Sequence, residues 1–319
     1  MIDLLACPEC RSAAANAEGC PDCELRPSQA GGVIDWLANE RLDVPEPDVN
    51  RFYEARPFPG YAEGDDASSL LDRCRRSGFL TALDRSIPPD AKVLDAGCGT
   101  GQISAFLALS SLSREVVGVD ACSASLAAAA NFRDRTRAEN LTLCRGDLFS
   151  LPVAEQGFDV VNCRGVVHHN ADWQAATRSV ARHVKPGGVL VLGFYENIAR
   201  LPHRIRRRLA AKRRRPFTIL DPVLRRSDLD EEKKLTWIED QYRHPLEWCL
   251  PFPQVVKLLD DCGFDWVRSV PPTPAQGGLF DPTPRPSAFG LALRRWGWAL
   301  TPGDQDAGLV GYVAKRRAR

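Results

Sequence analysis

Between residues 92 and 192 short apolar runs alternate with helical stretches, and this alternation restricts the fold more than any other property of the 319-residue chain. Lys92-Val93-Leu94-Asp95 reads as a strand, followed by glycines and a helix over 103–109. A second strand at 116–120 leads into an alanine-rich helix over 123–135, and a third lies at 141–144. Phe158-Asp159-Val160-Val161 is a fourth, with a helix over 172–183, and the turn Pro186-Gly187-Gly188 opens a fifth at 189–192. Strands separated by helices long enough to cross back over them make a parallel sheet covered on both faces. Ligands of such sheets bind beyond the carboxyl ends of the strands.

The alternation stops over 196–250, an insertion with Ile198, Leu201, Ile205 and Leu209 at helical spacing and arginines between them. It resumes with a helix over 252–262 and a strand at 264–270. A proline-rich loop over 271–286 and a last strand at 309–314 follow. Upstream, Leu70, Leu71, Phe79, Leu80 and Leu83 predict one helix ended by Pro88-Pro89. The stretch 43–66, rich in proline, acid and aromatics, reads as an ordered linker rather than helix or strand. The expected organisation is a small module over 1–40, a linker or lid with the first helix over 41–88, and the main α/β domain over 89–319 with its insertion at 196–250.

The first module is defined by Cys7-Pro8-Glu9-Cys10 and Cys20-Pro21-Asp22-Cys23. Each pair sets two thiols on one tight turn, and two such turns facing each other make a tetrahedral sulfur cage suited to zinc. Four cysteine ligands leave no position for water, so the zinc at Cys7, Cys10, Cys20 and Cys23 is expected to be structural. The nine residues between the pairs predict a short hairpin, and the ribbon is expected to close with the apolar residues 33–37. Neither pair opens a helix after a buried strand, which argues against a redox role.

The remaining seven of eleven cysteines, Cys74, Cys98, Cys122, Cys144, Cys163, Cys249 and Cys262, lie mostly in apolar runs, as reduced core cysteines do. Nothing resembling a secretory signal follows Met1, and no apolar run reaches membrane-spanning length, so the expected compartment is the cytoplasm. A formal net charge of +1 excludes a molecule that is basic all over, of the kind that wraps nucleic acid non-specifically.

The cofactor signal is Val93-Leu94-Asp95-Ala96-Gly97-Cys98-Gly99-Thr100-Gly101. A phosphate-gripping loop would need Gly-Lys-Ser/Thr at its end, but Gln102 follows Gly101. A dinucleotide loop would need a third glycine two residues on, and neither Gln102 nor Ser104 supplies it. An acid before a Gly-x-Gly-x-Gly run suits a cofactor without a pyrophosphate and with a positive amino-acid end.

This run resembles the first motif of the class I S-adenosylmethionine (SAM)-dependent methyltransferases. The likeness continues, in that family's order and spacing, through Gly118-Val119-Asp120, Gly146-Asp147, Phe158-Asp159-Val160-Val161, Gly165-Val166-Val167-His168-His169 and Lys185-Pro186-Gly187-Gly188. The core resembles the methyltransferase-11 or ubiquinone-biosynthesis type. The leading ribbon resembles that of the bacterial ribosomal-RNA guanine-N1 methyltransferases. The resemblance implies a Rossmann-like, doubly wound, seven-stranded, mostly parallel sheet with a helical insertion after the fifth strand. It further implies that Gly97, Cys98, Gly99 and Gly101 line the methionine and ribose portion of SAM, with Asp95 near its amino-acid end. Asp120, with Ala121 beside it, would accept the two ribose hydroxyls, as a carboxylate with two acceptor oxygens can. Asp147 and Leu148 would meet the adenine, and Cys163 and Arg164 would face the methionine portion. For the acids the competing role is a helix cap or turn.

Methyl transfer is an in-line displacement that needs alignment and exclusion of water, and often no strong base. His168 and His169 fall where the reactive carbon would sit. They are the candidates for a base, although a packing and helix-entry role is favoured. The aromatic run containing Tyr53, Phe58 and Tyr61 is a candidate lid, with a strap on the outside of the sheet as its alternative. Tyr242 and His244 are candidate pocket residues. The basic cluster Arg204–Arg215 would suit RNA phosphates, a solvated helix face or an anionic membrane. A small or medium organic acceptor is the favoured substrate. RNA methylation, a catalytically silent SAM-fold partner, and non-methyl SAM chemistry remain open.

Overall fold

The computed structural model describes residues 4–38, 47–55, 57–62, 64–212, 221–227, 231–274, 277–300 and 308–318. A hairpin of β1 (Ser28–Ala30) and β2 (Val33–Asp35) is followed by the helices α1 (Pro47–Ala55), α2 (Ala67–Arg75) and α3 (Gly78–Ser86). The alternating region then gives β3 (Lys92–Ala96), α4 (Gln102–Ser110), β4 (Glu115–Asp120), α5 (Ser123–Thr136), β5 (Leu141–Arg145), β6 (Phe158–Arg164), α6 (Trp173–Ala181) and β7 (Val184–Glu196). The insertion holds α7 (Leu201–Lys212), α8 (Glu231–Arg243) and β8 (Cys249–Leu250). The chain ends with α9 (Phe252–Asp261), β9 (Phe264–Val270), α10 (Ala288–Leu300) and β10 (Leu309–Arg316).

The described strands form one sheet of ten, ordered β1-β2-β5-β4-β3-β6-β7-β10-β9, with β8 on the end of β7. Seven strands were expected. The central β5-β4-β3-β6-β7-β10-β9 supplies them, and β1, β2 and β8 are additional. β10 is antiparallel to both β7 and β9, while β2 through β7 pair in parallel. From β3 the chain moves outward to β4 and then crosses to β6 on the other side. The carboxyl end of β3 is therefore a switch point, where flanking loops diverge and leave a crevice.

Period-two patterning puts Val93, Val116 and Val160 on one face with Leu70, Phe79, Phe106 and Phe132. Leu94, Val117 and Val161 lie on the other face with Trp36, Trp173, Leu258 and Trp298. The ribbon's Leu4, Leu25 and Trp36 belong to this second core, and β2 lies parallel to β5. Residues 33–37 therefore extend the main sheet instead of closing a separate ribbon.

Three local expectations are corrected. The linker over 43–66 contains α1, because Pro47 occupies its first position, where a missing N–H costs nothing. Residues 70–86 form two helices. Asp66 caps α2 in a capping box with Ser69, and Ser77 accepts from Leu80 N to start α3 afresh. Finally, Pro186-Gly187-Gly188 is a bulge inside β7, where the register jumps from Phe158↔Val184 to Val160↔Val189. Residues 39–46 and Arg213, Arg214 and Arg215 of the basic cluster lie outside the described residues.

Candidate functional site

At the switch point Gly97, Gly99 and Gly101 have φ of 75°, 54° and 73°, a left-handed run that side chains disfavour. Space also demands glycine: a Cβ on Gly97 would collide with Val166 after β6, and one on Gly99 would lie 2.7 Å from the Phe58 carbonyl oxygen. The Gly97 and Cys98 amides donate to Val119 O at 2.8 and 3.0 Å, tying the loop to β4. At the end of β4, Asp120 accepts from Gly99 N at 2.7 Å and from Cys122 N at 2.9 Å, one bond per carboxylate oxygen. The Ala121 amide also bears on this carboxylate, and a carboxylate's acceptor capacity exceeds three bonds. Burial raises the Asp120 pKa. Ala121 is fixed by Arg145, whose Nε donates to its carbonyl at 2.8 Å.

The other predicted cofactor residues are spread around this loop. Asp95 is buried between Ser104 Oγ at 2.6 Å and Asn162 Nδ2 at 2.7 Å, and desolvation raises its pKa. Both its oxygens thus join α4 and β6 to β3. Cys98 packs inside, beneath Gly118. Asp147 accepts from Phe149 N at 3.0 Å, capping the turn that holds the buried Leu148. Cys163 is fully buried, and Arg164 stacks over the Phe79 ring at 3.9 Å.

The aromatic segment lies across the glycine loop. Thr100 Oγ1 donates to Pro59 O, Gln102 Nε2 donates to Gly60 O at 2.9 Å, and Tyr61 OH donates to Thr100 O at 2.9 Å. Tyr61 also stacks on Phe132 at 4.2 Å. Just before the strap, Glu54 accepts from Ser123 N at 2.6 Å and Ala124 N at 3.1 Å, capping α5 from another helix. Burial works against the Glu54 carboxylate, but these amides hold its pKa below the ordinary value.

Beyond the carboxyl ends of β6 and β7 the insertion meets the histidine pair. His168 is wholly buried, its Nδ1 donating to Gly193 O at 3.2 Å, and its carbonyl accepts from Trp248 N at 2.9 Å. His169 Nδ1 donates to Leu246 O at 2.7 Å, and its ring lies 3.7 Å from that of His244 and 4.2 Å from that of His168. Burial keeps the three imidazoles neutral, with His169 pushed down to about 4 and His244 to about 3.

A closed polar network surrounds them. Arg200 is fully buried. It reaches Glu247 at 2.6 Å and Gln241 at 2.7 Å and covers the Tyr195 ring at 3.6 Å. Gln241 donates to Tyr195 OH at 3.0 Å, and Tyr53 OH donates to Asp240 at 2.9 Å. Tyr53 and His244 are thereby brought together, whereas Tyr242 bonds Asp221 at 2.8 Å within the insertion.

At the other edge of the sheet, the sulfurs of Cys7, Cys10, Cys20 and Cys23 lie within 4.8 Å of one another. The two knuckles share one backbone form. Arg11 N donates to Cys7 O and Glu24 N to Cys20 O, each at 3.0 Å, and Arg11 and Glu24 are both left-handed. The closest sulfur pairs, at 3.4 and 3.5 Å, are too far apart for a disulfide and suit four ligands around one ion.

Residues 87–243 match a family model described as a methyltransferase domain. Over these residues the chain carries a methyltransferase domain. It is 33% identical over 132 residues to an uncharacterized methyltransferase, YcgJ, of Bacillus subtilis, covering 41% of this chain and 47% of that protein. It is 31% identical over 132 residues to trans-aconitate 2-methyltransferase of Deinococcus radiodurans, covering 41% and 48%. The chain thus spans about half the length of these curated relatives. Among solved structures, Haemonchus contortus phosphoethanolamine N-methyltransferase 2 in complex with SAM aligns with a TM-score of 0.47 at 15% identity, covering 84% of this chain and 60% of that one.

Sequence reasoning about the methyltransferase domain missed Glu54, Arg145, Tyr195 and the Arg200–Glu247–Gln241 group. Arg145 had a local signal, because it stands immediately before the Gly146-Asp147 motif. Glu54 and Arg200 had none, since each finds its partners across 69 and 47 positions of sequence respectively.

Proposed function

We propose that the chain is a methyltransferase that binds SAM at the β3–β4 edge and methylates a small or medium organic acceptor. The carrying observation is the Asp120 carboxylate, fixed by Gly99 N and Cys122 N at the end of β4 with acceptor capacity to spare. That arrangement fits a ribose diol. The left-handed glycines provide a close backbone floor, and Leu148 provides an apolar wall for adenine. Asp120 and Glu54 give the crevice the negative character that a sulfonium cation favours. When bound, SAM would supply an electrophilic methyl group to the acceptor's nucleophilic atom.

In this reading the strap over 57–61 excludes water, and Asp147 orders the adenine side. Asp95 acts through its bonds to Ser104 and Asn162, by holding the loop. His168 and His169 act by position, joining β7 to the insertion through Gly193 O, Leu246 O and Trp248 N. The closed network of Arg200, Glu247 and Gln241 supports a compact acceptor over RNA. Two of the insertion's arginines, Arg200 and Arg207, are engaged with Glu247 instead of facing a phosphate track. The trans-aconitate relative points the same way. Cys7, Cys10, Cys20 and Cys23 are assigned to a structural zinc.

The test is calorimetry with SAM and S-adenosylhomocysteine on the parent and on Asp120→Ala. Binding by the parent and at least about tenfold weaker binding by the variant are expected, from the loss of charge-assisted bonds. A parent that binds neither compound, or an unchanged variant, would reject the assignment.

A further inference from the structure

Nine large apolar side chains are exposed among the described residues, and seven of them lie in three neighbouring segments: Ile205 and Leu209 on α7, Trp248, and four on α10. Those four, Phe289, Leu293, Trp296 and Leu300, are 75, 59, 51 and 77% exposed. Their spacing of four, three and four residues puts them on one helical stripe. The opposite side of α10 is anchored. Trp298 Nε1 donates to Pro271 O at 2.7 Å, and Arg295 reaches Glu196 at 2.8 Å and Asn197 at 2.7 Å. The stripe is therefore held outward by a docked helix.

Glu196 and Asn197 connect all three segments. They stand just before α7, and Tyr195–Glu196 pairs with β8 immediately after Trp248. The three apolar groups therefore flank the carboxyl end of β7, the end that carries the histidine cluster. Charge is equally uneven. α7 and α10 contain no acid, while α7 carries Arg204, Arg206, Arg207 and Arg208 and α10 carries Arg294 and Arg295, in a chain that is nearly neutral overall. Between α7 and the segment before β8, an open cleft of about 600 Å³ is lined by Arg204, Arg208 and Arg207, the last paired with Glu247 at 3.6 Å.

We propose that α7, Trp248 and α10 form a surface that docks on an anionic lipid bilayer. Apolar and aromatic side chains would enter the acyl boundary, and Arg204, Arg208 and Arg294 would meet the headgroup phosphates, as in interfacial helices. Among the described residues no helix is long and apolar enough to cross a membrane, so the contact is a surface one. The aliphatic Leu293, Leu300, Ile205 and Leu209 favour lipid over RNA, which gains from cations and aromatic stacking but little from exposed leucines. The arrangement puts the acceptor end of the sheet against the bilayer, where amphiphilic acceptors concentrate.

The full chain would be sedimented with vesicles of equal parts phosphatidylglycerol and phosphatidylcholine, and with phosphatidylcholine alone. Binding to the anionic vesicles, weakened by salt, is expected. Leu293→Asn with Trp296→Ser, and separately Arg208→Glu with Arg294→Glu, should each lower partition by at least about tenfold. These substitutions are at exposed positions, and circular dichroism with SAM calorimetry would show that the fold and the cofactor site persist. Four results would each overturn the proposal. One is a folded parent that ignores anionic vesicles. Another is partition unchanged in both variants. The third is a solution dimer, seen by light scattering and dissolved by Leu293→Asn with Trp296→Ser, which would assign the stripe to a second copy. RNA binding lost in the arginine variant without vesicle binding would assign the surface to RNA and likewise refute docking on lipid.

Discussion

Acid should unfold this protein well above the pH at which its carboxylates titrate, because all five of its histidines are interior. His168, His169, His183, His203 and His244 are each at most 6% exposed. All but His169 keep one ring nitrogen without a partner among the described residues. Burial is the leading cause of a lowered pKa in each: from 6.5 to about 4 for His169, His183 and His203, to about 3 for His244, and well below the ordinary value for His168. The unfolded chain takes up protons as the pH falls through about 6.5, and the folded chain resists until about 4. The stability tied to neutral rings is thus complete above 6.5 and is lost as the pH falls through that window. For one ring held near 4 the loss relative to pH 7 is about 0.7 kcal/mol at pH 6 and about 2 kcal/mol at pH 5. Three such rings give about 2 and about 6 kcal/mol, and the second figure rivals the net stability of an ordinary domain.

Other groups act in different windows. Glu54, Asp65 and Glu247 have depressed pKa values, so their contributions persist until the pH falls below the ordinary 4.5 or 3.8. Asp95 and Asp120 are raised by burial, and their strain is relieved as acid protonates them, with the opposite sign. The assay is thermal unfolding followed by circular dichroism at pH 7, 6 and 5 and constant ionic strength. A fall in Tm of about 3 °C by pH 6 is expected, and about 9 °C by pH 5. His183 provides the control, since it lies away from the site with Nδ1 donating to Ala154 O at 3.1 Å. His183→Asn keeps a donor there and should flatten the pH slope by about one proton. A Tm that stays level from pH 7 to 5 and drops only below 4.5 would refute the reasoning and point to the carboxylates.

Elemental analysis of purified protein should find one zinc per chain, and Cys10→Ser should lose it with a Tm fall of more than about 5 °C, because the cysteine module and the sheet share one core. Arg145→Met, which cuts both the 3.2 Å Asp35 contact and the bond to Ala121 O, should weaken SAM binding by about three- to tenfold in calorimetry. Tyr61→Phe keeps the Phe132 stack but loses the bond to Thr100 O, about 1 kcal/mol. SAM should then leave about fivefold faster in stopped-flow displacement, and an unchanged rate would separate the strap from the cofactor site.

The sheet was legible because its signals are local. Val93 and Leu94 face opposite cores two side chains at a time, and the glycines of 97–101 announce a left-handed turn wherever they occur. The knuckles were legible for the same reason, since ligand spacing within a turn is a sequence property. What escaped was long-range or ambiguous. Proline at 47 marks a turn or a first helical residue with equal force, and only the packing of α1 against α5 through Glu54 decides between them. α10 escaped because Gly290 and Gly297 interrupt it and its apolar stripe faces out, so it resembles neither a core helix nor a polar one. The histidine end of the sheet escaped most completely. Its buried charges, Arg200 and Glu247, are individually indistinguishable in sequence from surface residues, and only their pairing makes their burial tolerable.

The N-terminal module gains a physical role from these contacts. β2 adds to β5 as a parallel strand, Ala6 N donates to Pro152 O at 3.2 Å, and Ala154 N donates to Leu4 O at 2.9 Å. Arg11 reaches Phe149 O at 3.2 Å. The loop that holds Asp147 and Leu148 is therefore bounded on one side by the cysteine module. Asp35 of β2 holds Arg145, Arg145 holds Ala121, and Ala121 adjoins the carboxylate at the end of β4. An edge strand left bare at β5 would expose unpaired backbone and free both loops. A metal that ordered the module would thus stabilise the same loops that the proposed cofactor must find already in place. Preorganisation of that kind strengthens binding by sparing the ligand the cost of ordering them.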